Sequence, residues 1–168
     1  MRLAALMLAG MLVAACSPTP PSAPPAPTIV RYVAEAKFET VTDDLEQAIL
    51  AKGLVIDSTS RIAQMLDRTG KDVGSTKTIY ADGNGQAYTF CSATLSRKMM
   101  EADPNNIVFC PFSLAVYRTA AEPAKVYVAY QRPLATDASD SSRAVLKEVE
   151  ALLDALAREA LHLPAQAS

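Results

Sequence analysis

The chain has 168 residues and a net charge of −2, from 16 basic and 18 acidic side chains. That length suits one ordinary domain with its own core and is short for two. The near balance of charge, without a basic block, argues against a nucleic-acid partner, and a single histidine, His162, argues against a multi-histidine metal site.

The first segment reads as an export leader over residues 1–15. Arg2 supplies a positive start, and Leu3 to Val13 is apolar throughout, with Gly10 as the only gap in bulk. The run is well short of the ~20 residues that span a bilayer, so it fits a removable leader better than a membrane helix. Val13-Ala14-Ala15-Cys16 resembles the lipobox of bacterial lipoproteins. That resemblance implies cleavage before Cys16, a diacylglycerol on its thiol and a further acyl chain, palmitate for example, on its amino group. Each buried CH₂ adds roughly 0.8 kcal/mol to such an anchor. Ser17 follows, with no aspartate there, which resembles the default for transport to the outer membrane. The expectation is a lipid-anchored body facing the periplasm. The plainer alternative is an ordinary secretory leader, with Cys16 left as a free thiol.

Cys16 to Thr28 is expected to be the lipidated residue and its tether. Of the twelve residues from Ser17 to Thr28, six are proline. Proline at that density favours an extended polyproline II spacer. At ~3.1 Å per residue it reaches roughly 37 Å from the membrane surface. Recognition of the prolines by a partner is the lesser reading.

The folded domain is expected over residues 29–163. Ile29 to Phe38 alternates like a strand. Thr40 is placed as the cap of a helix carrying Val41, Leu45, Ala48 and Ile49, with Asp43 and Asp44 in its first turn and Gly53 just past its end. Leu54-Val55-Ile56 opens a second strand, and Ser60 is placed as the cap of a short helix ending at Gly70. Thr76–Ala81 and Gln86–Cys91 read as hairpin arms around Asp82-Gly83-Asn84-Gly85. Ser92 caps a third helix to about Ala102. Ile107–Tyr117 reads as a strand, with Pro111 pointing to an edge or a bulge. Lys125–Tyr130 alternates again. Ser139 or Asp140 opens a last helix, whose stripe runs through Val145, Val149, Leu152, Leu153, Leu156 and Ala160 until Pro164 ends it. Residues 164–168 form a tail. Mixed strands and helices of this order imply an α+β sandwich of two layers, a mainly antiparallel sheet with helices packed on it.

The cysteines are the strongest chemical signal. With Cys16 lipidated, Cys91 and Cys110 remain as a pair, in a compartment where disulfides persist. A strand–helix–strand unit can bring them together, and closing such a loop adds roughly 3 kcal/mol in the chain-entropy account. Three other readings stay open at this point. Cys91 near a helix N-terminus suits thiol exchange; Cys91 and Cys110 with Met99 and Met100 are soft ligands suited to copper(I); or both are free buried thiols. Nothing else assembles. Asp43-Asp44 fits first-turn helix chemistry, Arg97-Lys98 a solvated face, and His162 a helix end. Ser92 and Ser96 have no histidine near them. Tyr80, Tyr88, Tyr127 and Tyr130 fit ordinary sheet packing or the wall of an apolar pocket. No catalytic residue and no cofactor is indicated.

The order of segments resembles the DUF302 domain family. Phe38 to Gly53 resembles its opening helix, Tyr88 to Ser96 its strand-to-helix junction, Phe109-Cys110-Pro111-Phe112 its proline-containing strand, and Val126 to Arg132 its closing strand. At the junction the commoner asparagine-proline pair is replaced by Cys91-Ser92, so no site carries over there. The resemblance implies an α+β fold and a homodimer, and names no activity. A non-enzymatic binding or accessory module is therefore the expectation, with a thiol-redox or copper-handling protein as the alternative and a purely structural lipoprotein behind both.

Overall fold

Period-two alternation turns Val30, Tyr32 and Ala34 of β1 (Ile29–Glu35) inward and leaves Ile29, Val33 and Glu35 exposed. The computed structural model describes residues 27–165. The leader, Cys16, the tether as far as Ala26 and the last three residues of the tail lie outside the described residues. The other strands are β2 (Val55–Ser60), β3 (Tyr80–Cys91), β4 (Phe112–Thr119) and β5 (Lys125–Gln131). They form one sheet in the order β1-β5-β4-β3-β2, and every neighbouring pair is antiparallel.

Helices α1 (Phe38–Ala51) and α4 (Asp140–Ala160) pack on each other and cover one face, with α3 (Ala93–Ala102) beside α4. Leu45 and Ile49 of α1 and Val149 and Leu156 of α4 meet Tyr88, Phe90, Leu114, Val116, Val126 and Val128 of the sheet, all without solvent exposure. Burying each such side chain contributes roughly 1.5–3 kcal/mol against leaving it in water. The opposite face carries Ala87, Ala115 and Ala129 in one cross-strand row and Tyr117 and Tyr127 in the next. Helix α2 (Ile62–Thr69) packs against β3, where Gly85 leaves room for it: a Cβ there would come within 3.2 Å of the Ala63 methyl. This is the expected two-layer α+β architecture.

Several local expectations give way to packing. Helix α1 begins at Phe38, not after Thr40, because Phe38 belongs to the buried stripe with Val41, Thr42, Leu45, Ala48 and Ile49. Lys37 precedes it without a side-chain cap, Glu39 is the first-turn acid, and Asp43 and Asp44 fall a turn later. Ser60 cannot cap α2, because it is the last residue of β2 and pairs with Ala87; Arg61 takes the cap position. The expected hairpin does not exist. Tyr80 to Cys91 is one strand, and Asp82-Gly83-Asn84-Gly85 bulges out of it. Asp82 and Gly83 take left-handed φ values of 53° and 68°, and the chain then rejoins the same partner, with Tyr80 opposite Thr119 and Gly85 opposite Tyr117. Thr76 to Ile79 is not a strand.

The expected strand over Ile107–Tyr117 starts late. Residues Pro104–Phe109 form a 3₁₀ helix, opened by the Asp103 side chain, which accepts from the Asn105 amide at 2.9 Å. The buried Asn106 side chain donates to the Met99 carbonyl at 2.9 Å and to the Ser142 hydroxyl at 2.8 Å, holding the segment on α3 and α4. Pro111 lies just before β4, which is a central strand and not an edge. Two caps stand where expected. The Ser92 hydroxyl accepts from the Leu95 amide at 3.3 Å, and that of Ser139 from the Ser142 amide at 3.2 Å. Gly53 takes φ 70° after α1, the left-handed conformation a helix terminator needs.

Candidate functional site

The ladder between β4 and β5 is short. Tyr117 pairs with Tyr127, Val116 with Val128 and Ala115 with Ala129, and there the pairing stops. On either side the strands stay paired to their outer neighbours: β4 to β3 as far as Phe90 opposite Phe112, and β5 to β1 as far as Ile29 opposite Gln131. The sheet thus splits at this end, and a cleft of about 900 Å³ opens in it. Ser113 and Ala115 form one wall, Ala129 and Gln131 the other, and Val149 and Leu153 of α4 are reached between them. Phe109, Pro111 and Pro133 close the outer end, and Tyr117 stands at the inner end, stacked on Tyr127 with centroids 5.2 Å apart. Small side chains in the alanine row are what give the cleft its width.

Among the described residues, no Asp, Glu, Lys, Arg or His lines this cleft. Its polar groups are hydroxyls and one amide: Thr28, Ser113, the Tyr hydroxyls and Gln131. The two strand edges also turn backbone groups toward it beyond Ala115 and Ala129. Such a lining can desolvate an apolar molecule and hydrogen-bond an uncharged polar end.

Behind the cleft sits a charged cluster. The Tyr32 hydroxyl donates to Asp154, a carboxylate only 8% exposed, and Arg158 Nε donates to its second oxygen at 2.7 Å. The Arg158 guanidinium lies 4.5 Å over the Tyr32 ring and donates to its hydroxyl at 3.1 Å. Tyr130, which also lines the cleft, reaches Asp154 at 3.5 Å. Burial, with the Asp154 charge beside it, raises the Tyr130 hydroxyl pKa well above the ordinary tyrosine value, so it remains a donor at neutral pH. Burial and the hydrogen bond to Asp154 raise Tyr32 in the same direction. The cluster joins β1, β5 and α4, and composition and spacing gave no sign of it.

Cys91 and Cys110 do meet. Cys91 ends β3 and is exposed, Cys110 follows the 3₁₀ helix, and their sulfurs are 3.2 Å apart as two thiols. The Ser96 hydroxyl is 3.5 Å from Cys110 Sγ. Partial burial and the hydrogen bond with Cys110 push the Cys91 thiol up to about 11, away from the thiolate that exchange chemistry needs. Met99 is fully buried in the core. Cys110 sits between Phe109 and Pro111, which both line the cleft.

The remaining marked residues are placed as follows. Arg97 pairs with Glu101 at 2.7 Å and Lys98 with Glu148 at 2.8 Å, both in solvent. His162 Nε2 is 3.0 Å from Asp44, tying the end of α4 to α1. Of the four tyrosines, Tyr88 is wholly core, Tyr127 stacks on Tyr117, and Tyr80 and Tyr130 line the cleft.

Residues 30–160 match the family described as "Domain of unknown function DUF302". The chain belongs to the DUF302 family. Among solved structures, the fold is similar to that of an uncharacterized conserved DUF302 protein from Bacillus stearothermophilus. The TM-score is 0.67 at 12% identity, over 80% of this chain and 99% of that one. At that identity the DUF302 likeness speaks for the fold and leaves the side chains of the cleft to be read on their own. No curated protein matches the chain.

Proposed function

We propose that this DUF302 chain is an exported lipoprotein, held through acylated Cys16 at the outer membrane. Its periplasm-facing domain is a non-enzymatic module that binds an uncharged, largely apolar molecule. The observation that carries the binding reading is the cleft between β4 and β5, about 900 Å³ in volume and lined by no charged side chain among the described residues. The address rests on the leader pattern and the Val13-Ala14-Ala15-Cys16 motif. The test has two arms. Labelled palmitate should appear on the wild-type protein and be lost in Cys16→Ser, which should leave the membrane fraction. The neutral fluorophore N-phenyl-1-naphthylamine should bind the domain saturably. A wild-type chain that takes no label, or a domain that does not bind the fluorophore, overturns the corresponding arm.

A second reading, a thiol-redox or copper(I) protein, has one observation in its favour: the 3.2 Å approach of Cys91 and Cys110 sulfurs. Against it stand the raised Cys91 thiol and the burial of Met99. Copper retained stoichiometrically after dialysis, or a disulfide opened by mild reductant, favours this second reading over the first.

A further inference from the structure

The mouth of the cleft is ringed by apolar side chains that the fold leaves in water. Ile29 on the β1 side and Val108 on the 3₁₀ segment both line the cleft, yet they are 66% and 76% exposed. Pro111 lines it and is exposed too. Ile107, next to Val108, and Leu134, next to the lining residue Pro133, are each more than half exposed. Single apolar residues scattered over a surface need no account, but a group gathered around an opening marks an interaction site.

Positive charge lies beside this rim. A second hollow of about 520 Å³ shares Ile29 and Tyr117 with the cleft and is lined by Arg31 and Arg132. Arg132 is paired with Glu150 at 2.7 Å. Arg31 is exposed, lies 5.3 Å over the Tyr127 ring and forms no ion pair with a described residue. An apolar rim with a cation at its side suits a lipid interface, where the apolar groups sink in and the cation meets anionic headgroups.

The chain's own connection selects the bilayer as the occupant. Thr28, where the tether enters the fold, lines the cleft, and Cys16 is twelve residues upstream. A lipidated Cys16 therefore keeps this rim close to the membrane. Val73 and Ile79 are exposed as well, beside Lys71 and Lys77, but they flank a separate hollow after α2 that no residue near the tether lines.

We propose that the cleft rim is a bilayer-docking surface, and that the cleft takes its ligand, a neutral acyl lipid, directly from the leaflet. This rests on the reading of the cleft as the binding site. Ile29, Val108 and Leu134 enter the lipid interface, Arg31 meets a headgroup phosphate, and the uncharged cleft opens onto the acyl layer. The lipid then passes from one apolar medium to another without exposing its chain to water. The Ser113 hydroxyl and the Gln131 amide meet its ester or hydroxyl end.

The experiment uses the mature chain, residues 16–168, with Cys16→Ser, so that the protein carries no anchor. It should sediment with vesicles of phosphatidylethanolamine and phosphatidylglycerol. Ile107→Asp/Leu134→Asp should weaken that association at least tenfold. Neither residue lines the cleft, so N-phenyl-1-naphthylamine binding in solution should stay unchanged. Val73→Asp should alter neither reading. Arg31→Ala should weaken association about fivefold at low ionic strength, and progressively less as salt is added. Vesicles carrying a pyrene-labelled monoacylglycerol should lose excimer emission to the wild type and keep it with the rim variant. No association by the wild type, equal association by the rim variant, or loss through Val73→Asp instead overturns the docking surface. So does a wild-type dimer that ignores vesicles and that the rim variant splits, because a second copy then covers the rim. Excimer emission unmoved despite association overturns the lipid as ligand. Association with this residue dependence, but without fluorophore binding, defeats the reading of the cleft and leaves the docking surface standing.

Discussion

Ala115 of β4 and Ala129 of β5 are the last partners on their ladder, and two residues beyond them, on the same face, Ser113 and Gln131 stand on opposite walls of the cleft. Ser113 is exposed, so its side chain is free to grow into the cleft. Ser113→Trp should fill it and weaken N-phenyl-1-naphthylamine binding at least tenfold. An aromatic residue suits a strand, so the urea midpoint should correspond to a stability change within about 0.5 kcal/mol, as for most exposed substitutions. The protein has no other tryptophan, so the new indole also reports directly on whether the cleft is dry. Unchanged binding with a buried indole signal would place the site elsewhere.

Asp154 is the hub behind that cleft, and its removal leaves Arg158 and two tyrosine hydroxyls without their acceptor. Asp154→Ala should destabilise the domain by about 3 kcal/mol, the scale of breaking a largely buried ion pair from one side. Asp154→Asn keeps the shape and one acceptor oxygen and should cost about half as much. Urea denaturation of the two variants beside wild type checks the order; equal stability in all three would mean that the cluster is solvated in solution.

Asn106 tests the 3₁₀ segment in the same way. Its amide donates to the Met99 carbonyl and exchanges hydrogen bonds with the Ser142 hydroxyl, and the residue is 3% exposed. Asn106→Ala strands both partners, at about 2 kcal/mol. It also loosens Phe109 and Pro111, so fluorophore affinity should fall along with the urea midpoint. Ser142→Ala leaves the bond to Met99 intact, and the expected loss is about 1 kcal/mol.

What the sequence made legible was local. Ser92 and Ser139 announce their helices because a hydroxyl one residue before an apolar stripe is free to cap it. Thr40 and Ser60 look the same on paper, yet Phe38 is needed in the core and Ser60 is needed in β2, and packing outweighs the ~1 kcal/mol of a cap. Asp82-Gly83 carries the composition of a turn, and the left-handed φ values are there. Whether they reverse the chain or bulge it depends on which strand waits beyond, and β4 lies more than twenty residues downstream. The cysteine pair was legible as an even count after Cys16. The cleft was not, because it is a missing pairing between strands, and its only trace is Ser113, Ala115 and Ala129 standing where larger residues would close it. The Tyr32–Asp154 bond was hidden by a separation of 122 residues.

The buried tyrosines set the alkaline limit of the fold. Tyr88 and Tyr130 have hydroxyl pKa values well above 10, chiefly through burial, and Tyr32 is raised as well. In the unfolded chain each titrates near 10. Below pH 10 both states hold the proton, and the stability of the folded form is intact. Above it the unfolded chain loses protons that the folded chain keeps, so the unfolded state gains and stability falls with rising pH. Each tyrosine contributes a slope of about 1.4 kcal/mol per pH unit while it remains protonated in the fold. With Cys91 replaced by serine, so that its own raised thiol does not titrate in this range, urea midpoints should therefore be nearly flat between pH 8 and 9.5 and drop steeply by pH 11. Tyr88→Phe loses one titrating hydroxyl and should show the shallower drop. An identical slope in that variant would mean that Tyr88 ionises in the folded protein as freely as in the unfolded one.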